Sequence, residues 1–296
     1  MKITVVGLGV IGGSFVKALK GKGYEVYGID TNQQTLDMAK EEGCIIEGYL
    51  DGKDIIPGTD LTIICLYPSL VLDFIKNNQF KPGSIVTDAV GIKSYFLREA
   101  LSIIPDGVEY ISIHPMAGRE KKGYQYASKQ VFENANFIIV YHDDNKKSTI
   151  DFVQEFSKQL GFRSVKIMSP EAHDEIISFT SQLPHCLAVA LMNSDDQKYE
   201  TGKYIGDSFR DLTRIANINE DLWDELFMNN KQYLLASIER FEEQLDVLKN
   251  AIRDNDDETL KVAFRKSTKS ILTNSTPKEQ DIVQSPDLHG FIISRN

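Results

Sequence analysis

The opening of the chain constrains its fold more than any other stretch. A short apolar run at residues 3–6 has the β-branched character of a strand, and Gly7-Leu8-Gly9-Val10-Ile11-Gly12 follows it directly, opening a helix through Phe15 and Leu19. A strand that passes through three spaced glycines into a helix begins a βαβ unit. In that setting Gly7 makes the tight turn, Gly9 lets a phosphate approach the backbone, and Gly12 lets helix and strand pack closely. The helix N-terminus then offers unpaired N–H groups and the positive end of its dipole to an anion.

A second strand, residues 25–29, ends at Asp30. A carboxylate there accepts hydrogen bonds from ribose hydroxyls and repels a 2′-phosphate. Glycines alone are a weak signal. Strand, glycines and acid in this order predict a dinucleotide site built from Gly7, Leu8, Gly9, Val10, Ile11, Gly12 and Asp30, with NAD favoured over NADP. Further β-rich runs at residues 61–66, 84–87, 110–113 and 137–140 alternate with helical segments. That alternation predicts an α/β domain of Rossmann type, a mostly parallel sheet covered by helices.

The pattern turns helical at Ser169-Pro170-Glu171, where Ser can cap and Pro fits the first helical position. The boundary is placed at residues 167–169, giving a dinucleotide-binding domain over 1–167 and an all-α substrate-binding and dimerisation domain over 168–296. Within the second, Leu234, Ile238, Phe241, Leu245, Leu248 and Ile252 form a heptad seam. Such a stripe is buried either in a core or against a second copy. The polar residues from Ser275 onward predict an extended or poorly ordered tail.

Composition narrows the partners. Apolar runs are too short to span a bilayer, and the chain opens as a strand with no leader pattern, which predicts a soluble, cytoplasmic protein. Three scattered cysteines, Cys44, Cys65 and Cys186, suggest neither a disulfide framework nor a metal site. A net charge of -10 without dense basic patches argues against nucleic acid. An anionic small molecule would therefore need locally placed cations.

Ser112-Ile113-His114-Pro115-Met116-Ala117-Gly118-Arg119-Glu120 places His114 where a strand gives way to a glycine-containing loop. With a reference pKa of about 6.5, a histidine there can serve as a base near neutral pH; a structural histidine fits the residues equally well. Two further segments stand out: Ser178-Phe179-Thr180-Ser181-Gln182-Leu183-Pro184-His185, a polar patch in an apolar helix, and Phe209-Arg210-Asp211-Leu212-Thr213-Arg214-Ile215-Ala216. Pro184 should kink the helix between Ser181 and His185.

These segments, in this order after the glycine loop, resemble the prephenate and arogenate dehydrogenase family of tyrosine biosynthesis. The resemblance implies NAD-dependent oxidative decarboxylation of prephenate by a homodimer. It implies that His114 takes the proton of the ring hydroxyl, and that Arg214 grips a substrate carboxylate through its two-pronged guanidinium. It also places His173, Ser181, His185 and Trp223 at the substrate pocket, with Glu120 gating entry. Arg210 reads as an exposed neighbour.

Two departures matter. Where many members carry Asp-x-x-Ser-x-Lys, this chain reads Asp88-Ala89-Val90-Gly91-Ile92-Lys93, so one hydroxyl contact is lost or replaced by Ser94 or a backbone N–H. Residues after Ile271 are too few for a regulatory ACT domain. Arogenate, which carries an amine in place of the keto group, is an alternative substrate. A β-hydroxyacid dehydrogenase would need a lysine on the first helix of the second domain, and residues 169–197 contain none. A non-catalytic NAD-sensing module would have little use for His114, Arg214 and the polar helix together.

Overall fold

A computed structural model describes residues 1–117 and 121–274. The described chain divides into two compact units, Met1–Leu235 and a second that begins at Ala236. In the first, β1 (Lys2–Val6), β2 (Glu25–Ile29), β3 (Gly48–Tyr49), β4 (Leu61–Ile64), β5 (Ile85–Asp88) and β6 (Glu109–Tyr110) make a parallel sheet in the order β3-β2-β1-β4-β5-β6. The order reverses direction at β1, the switch point at which open α/β sheets bind ligands. The helices between these strands are α1 (Val10–Leu19), α2 (Gln33–Glu41), α3 (Pro68–Asn77) and α4 (Ser94–Leu101).

Strand alternation sorts the core into two faces. Ile3, Val5, Leu61 and Ile63 pack with Phe15, Val16 and Leu19 of α1, whereas Val6, Ile64 and Val86 pack with Val71, Ile75, Phe96 and Leu97 of α3 and α4. Near-continuous burial of β1 and β4 is what a parallel sheet covered on both faces requires.

The run at residues 110–113, read from sequence as one strand of one sheet, is two strands. β6 ends at Tyr110, Ile111 donates its N–H to Val86 O, and the chain continues as β7 (Ser112–Met116) in a second sheet. That sheet has the order β7-β8-β9, with β8 (Asn136–Val140) antiparallel to β7 and parallel to β9 (Ser164–Met168). The corner is fixed by side chains: Tyr110 and Ser112 both donate their hydroxyls to Asp88 at the end of β5. No run of alternating residues announces such a change of partner. The two-residue β3 and β9, whose apolar residues are interrupted by Lys166, offer no continuous apolar run to read.

After α5 (Lys147–Gln159) and β9 the chain is helical: α6 (Pro170–Ile177), a π-helical turn (Ser178–Gln182), α7 (Leu183–Asn193), α8 (Asp207–Thr213), α9 (Glu220–Asn229) and α10 (Lys231–Arg253). Ser169 caps α6 by accepting the Ala172 N–H at 3.2 Å, with Pro170 at the first position as expected. The passage from strands to helices thus falls between β9 and α6, while the two compact units divide within α10.

The second unit is described through the rest of α10 and α11 (Asp257–Asn274). Leu245, Val247, Ile252, Val262, Phe264 and Ile271 are exposed there. Among the described residues no helix is long and apolar enough to cross a membrane, and no group of three or more His, Cys, Asp or Glu is placed to hold a metal ion.

Candidate active site

The glycine loop is braced by contacts only glycine permits. Gly7 has φ +81 and donates its N–H to Ile29 O at 2.7 Å; a Cβ there would stand 2.7 Å from Cys65 O at the end of β4. A Cβ on Gly12 would stand 1.9 Å from Gly7 O. Gly9 differs: a Cβ there would meet no described atom within 4 Å. The crowded glycines hold the loop, and the open one leaves its outer face clear. Among the described residues no side chain caps the start of α1, so its N–H groups remain available to an anion.

Asp30 closes the loop from β2. Its Oδ2 accepts the Leu8 N–H at 2.8 Å and its Oδ1 accepts the Asn32 N–H at 2.9 Å. Each carboxylate oxygen has capacity for a further donor. An open glycine over an uncapped helix, with an anchored carboxylate beside it, fits the pyrophosphate and ribose of a dinucleotide.

β7 carries the chain on past the carboxyl end of β6 and sets His114 beside the corner. The His114 Nδ1 lies 2.8 Å from His173 Nε2, and His173 Nδ1 lies 2.8 Å from Asp174 Oδ1. Asp174 is held in turn by the backbone N–H groups of Lys93 at 2.8 Å and Ser94 at 2.7 Å. His173 and Asp174 are buried, whereas His114 keeps part of its surface exposed. The far edge of His114 faces Gly91: a Cβ there would lie 3.9 Å from His114 Nε2 and 3.3 Å from Leu226 Cδ2.

Electrostatics keep this pair of rings neutral. Burial, then the proximity of His173 and of the Lys93 ammonium, holds His114 well below the usual histidine range, against the sequence expectation of a base in that range. Burial also lowers His173, opposed by its bond to Asp174. Burial alone would raise the Asp174 carboxyl, but the His173 contact and the Ser94 N–H outweigh it and hold it ionised.

Behind His114 lies a buried ion pair. Lys93 Nζ donates to Asp88 Oδ1 at 2.8 Å and to Ile113 O at 2.7 Å, with both charged side chains fully buried. Asp88 also accepts the Val90 N–H at 2.9 Å and the Tyr110 hydroxyl at 2.7 Å. Buried charges of this kind persist only when every lone pair and proton is satisfied. The pair therefore fixes the loop carrying Gly91 and the strand carrying His114 to each other.

The helical half adds a second wall. Pro184 cannot donate an N–H, and the helix loosens into the π turn before it, where the Leu183 N–H reaches back to Ser178 O. Ser181 O, in the segment loosened by Pro184, accepts a hydrogen bond from His185 Nδ1 at 2.8 Å. The His185 ring lies against Trp223 of α9 with centroids 3.8 Å apart. Gln182 pins the two helices by donating to Leu226 O at 3.1 Å and accepting from Asn230 at 2.8 Å. Glu225 accepts the backbone N–H and hydroxyl of Ser69, capping α3 from α9.

Arg214 is exposed at the end of α8, in a 3-10 turn packed against α7. Arg210 pairs with Asp207 on its own helix at 2.9 Å. The structure thus joins His114 to His173, and Ser181 to His185 and Trp223. It places Arg214 on a turn touching the His185 helix. Glu120, with Gly118 and Arg119, lies outside the described residues, as does the tail from residue 275. His173, grouped by resemblance with the substrate pocket, is fully buried behind His114. The sequence singled out Gln182 only as part of a polar patch and gave no role to Asp174 or Asn230. The one signal for Asp174 was an acid beside a histidine early in a capped helix.

Residues 15–166 match the model of the prephenate dehydrogenase nucleotide-binding domain, and residues 169–266 match that of the prephenate dehydrogenase dimerization domain. The prephenate dehydrogenase of Lactococcus lactis subsp. cremoris is 28% identical over 308 residues, covering 99% of this chain and 84% of the relative. That of Bacillus subtilis is 26% identical over 271 residues, covering 87% and 72%. The crystal structure of prephenate dehydrogenase from Aquifex aeolicus in complex with hydroxyphenyl propionate and NAD+ shares the fold with a TM-score of 0.83 at 27% identity, covering 93% of this chain and 98% of that one. With both domain models matched in series along its length, the chain belongs to the prephenate dehydrogenase family.

Proposed function

We propose that this chain is a prephenate dehydrogenase, oxidising and decarboxylating prephenate with NAD to 4-hydroxyphenylpyruvate and CO2 in tyrosine biosynthesis. One observation carries the reading: His114 turns its Nε2 edge toward Gly91, beside the carboxyl ends of β5 and β6, while the glycine loop and Asp30 offer a dinucleotide cradle on the same sheet.

NAD, when bound, supplies the acceptor for the hydride leaving the carbinol carbon. The chain supplies the rest. His114 Nε2 accepts the hydroxyl proton as the carbinol becomes a carbonyl. The bond to the ring carboxylate then breaks as CO2, its electron pair enters the ring, and the proton held on His114 returns to the oxygen. No net proton is released, so a neutral base that takes up one proton and returns it suffices. Arg214 takes a carboxylate, and Ser181, His185 and Trp223 line the wall of α7 and α9. Glu120 gates entry to the pocket.

In this reading residues 1–167 bind the dinucleotide and residues 168–296 bind substrate and join two copies into a cytoplasmic homodimer. Steady-state assay of the purified protein with prephenate and arogenate, each with NAD and NADP, tests the assignment. The highest kcat/KM is expected for prephenate with NAD. Absence of NADH formation from prephenate, or better use of arogenate, would overturn it.

A further inference from the structure

The start of α6 places two side chains where the proposed reaction needs them. Ser169 and Pro170 fix the first turn, and His173 and Asp174 follow with their side chains turned into the protein, buried beside β7 and the start of α4. The contacts define a line: His114 Nδ1 to His173 Nε2, then His173 Nδ1 to Asp174 Oδ1. Hydrogen-bond chemistry fixes its polarity. A carboxylate only accepts, so His173 Nδ1 carries the proton. Neutral His173 then has a bare Nε2, which accepts from His114 Nδ1–H. His114 is left with its lone pair on Nε2, the edge facing Gly91.

We propose that His173 and Asp174 are positioning residues for His114, holding it in the Nδ1–H tautomer and sharing the positive charge when Nε2 takes the substrate proton. This rests on the oxidation reading above for its chemical purpose but not for its geometry. Free imidazole favours the opposite tautomer, so an unsupported His114 would present an N–H to a hydroxyl that must itself donate. Once Nε2 is protonated, His114 Nδ1 lies 2.8 Å from His173 Nε2 and its proton can move there, which places the cation against the Asp174 carboxylate. The charged groups facing the rings are Lys93, Asp88 and Asp174. Lys93 and Asp88 are already paired, which leaves Asp174 to balance a new cation.

Nitrogen-15 NMR of the histidine-labelled protein reads the tautomer without substrate. Only five histidines are present, and His114→Asn identifies its signals by their loss. A protonated Nδ1 and bare Nε2 on His114 is expected; the reverse pattern would overturn the proposal. Asp174→Asn keeps the shape of the acid but removes its charge. It is expected to lower kcat by roughly 10²-fold, to leave prephenate KM and NAD affinity within a few-fold, and to move the acid limb of the rate profile to lower pH. Native kcat with an unmoved acid limb would sink the idea. If the variant loses NAD affinity and helical signal through misfolding, His173→Phe and the wild-type tautomer decide. Wild-type protein inert toward prephenate would sink the function while leaving the tautomer result standing.

Discussion

The His185 ring and the indole of Trp223 lie face to face at 3.8 Å, inclined by 32°, while His185 commits Nδ1–H to the carbonyl of Ser181. The indole thus holds the imidazole flat, and the carbonyl fixes its rotation about that face. Ring pairs of this kind contribute about 0.5–1.5 kcal/mol beyond burial. Trp223→Ala should therefore raise prephenate KM by roughly 2- to 10-fold with NAD affinity unchanged, and Trp223→Phe should recover part of the loss. Equal KM for native and Trp223→Ala proteins would detach this wall from the substrate.

Asp30 has two duties in one carboxylate, since it holds the Leu8 and Asn32 N–H groups and is proposed to receive a ribose. Native protein should prefer NAD by kcat/KM, because the carboxylate repels a 2′-phosphate at close range. Asp30→Ala should narrow that preference mainly by weakening NAD, as the loop loses its anchor along with the charge. A variant that gains NADP affinity at no loss of NAD would show that the Leu8 contact does not position the loop.

Legibility followed the range of the forces involved. Gly7 was readable because its positive φ is a local demand, Gly12 because it meets Gly7 O five residues back, and the Ser169 cap because its hydrogen bond spans three residues. The sheet change at Ile111 was not, because it depends on Asp88 meeting Tyr110 and Ser112 from more than twenty positions away. His114 could be named from its strand end, yet its chemistry could not. The partner that fixes its tautomer, His173, lies 59 residues along the chain, and only the family resemblance had grouped that residue with the substrate. Gln182 and Asn230 are polar groups whose purpose is visible only once their helices are side by side.

Arg214→Ala tests the cation that the acidic chain must supply to a dianionic substrate. A charge-assisted hydrogen bond contributes on the order of 1.5–3 kcal/mol. Loss of one corresponds to roughly 10- to 150-fold weaker prephenate binding. NAD affinity should stay within two-fold or so. Weaker NAD with native prephenate KM would reassign the arginine to the cofactor.

The seam on α10 opens toward solvent: Leu234 is buried, Ile238, Phe241 and Leu248 are half-buried, and Leu245 and Ile252 are 50% and 65% exposed. With Val262, Phe264 and Ile271 exposed on α11, the second unit leaves apolar surface that a second copy would cover. Light scattering should give the mass of a dimer at micromolar concentration. Leu245→Glu combined with Ile252→Glu should give a monomer with native helix content, and a persistent dimer would move the interface elsewhere.

The histidine pair also sets a pH window for stability. Both His114 and His173 have folded-state pKa values below the ordinary 6.5, so above that value neither state binds the proton and their stabilising effect is fully present. As pH falls through about 6.5 the unfolded chain takes up protons that the folded chain refuses, and stability drops by up to about 1.4 kcal/mol per pH unit for each such proton. The drop ends as the pH passes the lowered folded values. Asp174, lowered in the fold, adds a separate loss only below about 3.8. Urea unfolding from pH 8 to pH 5 should show stability falling below pH 6.5, with a shallower fall in His173→Phe. Over the same range kcat/KM should stay high, because the free enzyme's His114 remains neutral below the usual histidine range. A kcat/KM acid limb at or above pH 6.5, or stability that rises on acidification, would mean that the rings are charged in the folded protein.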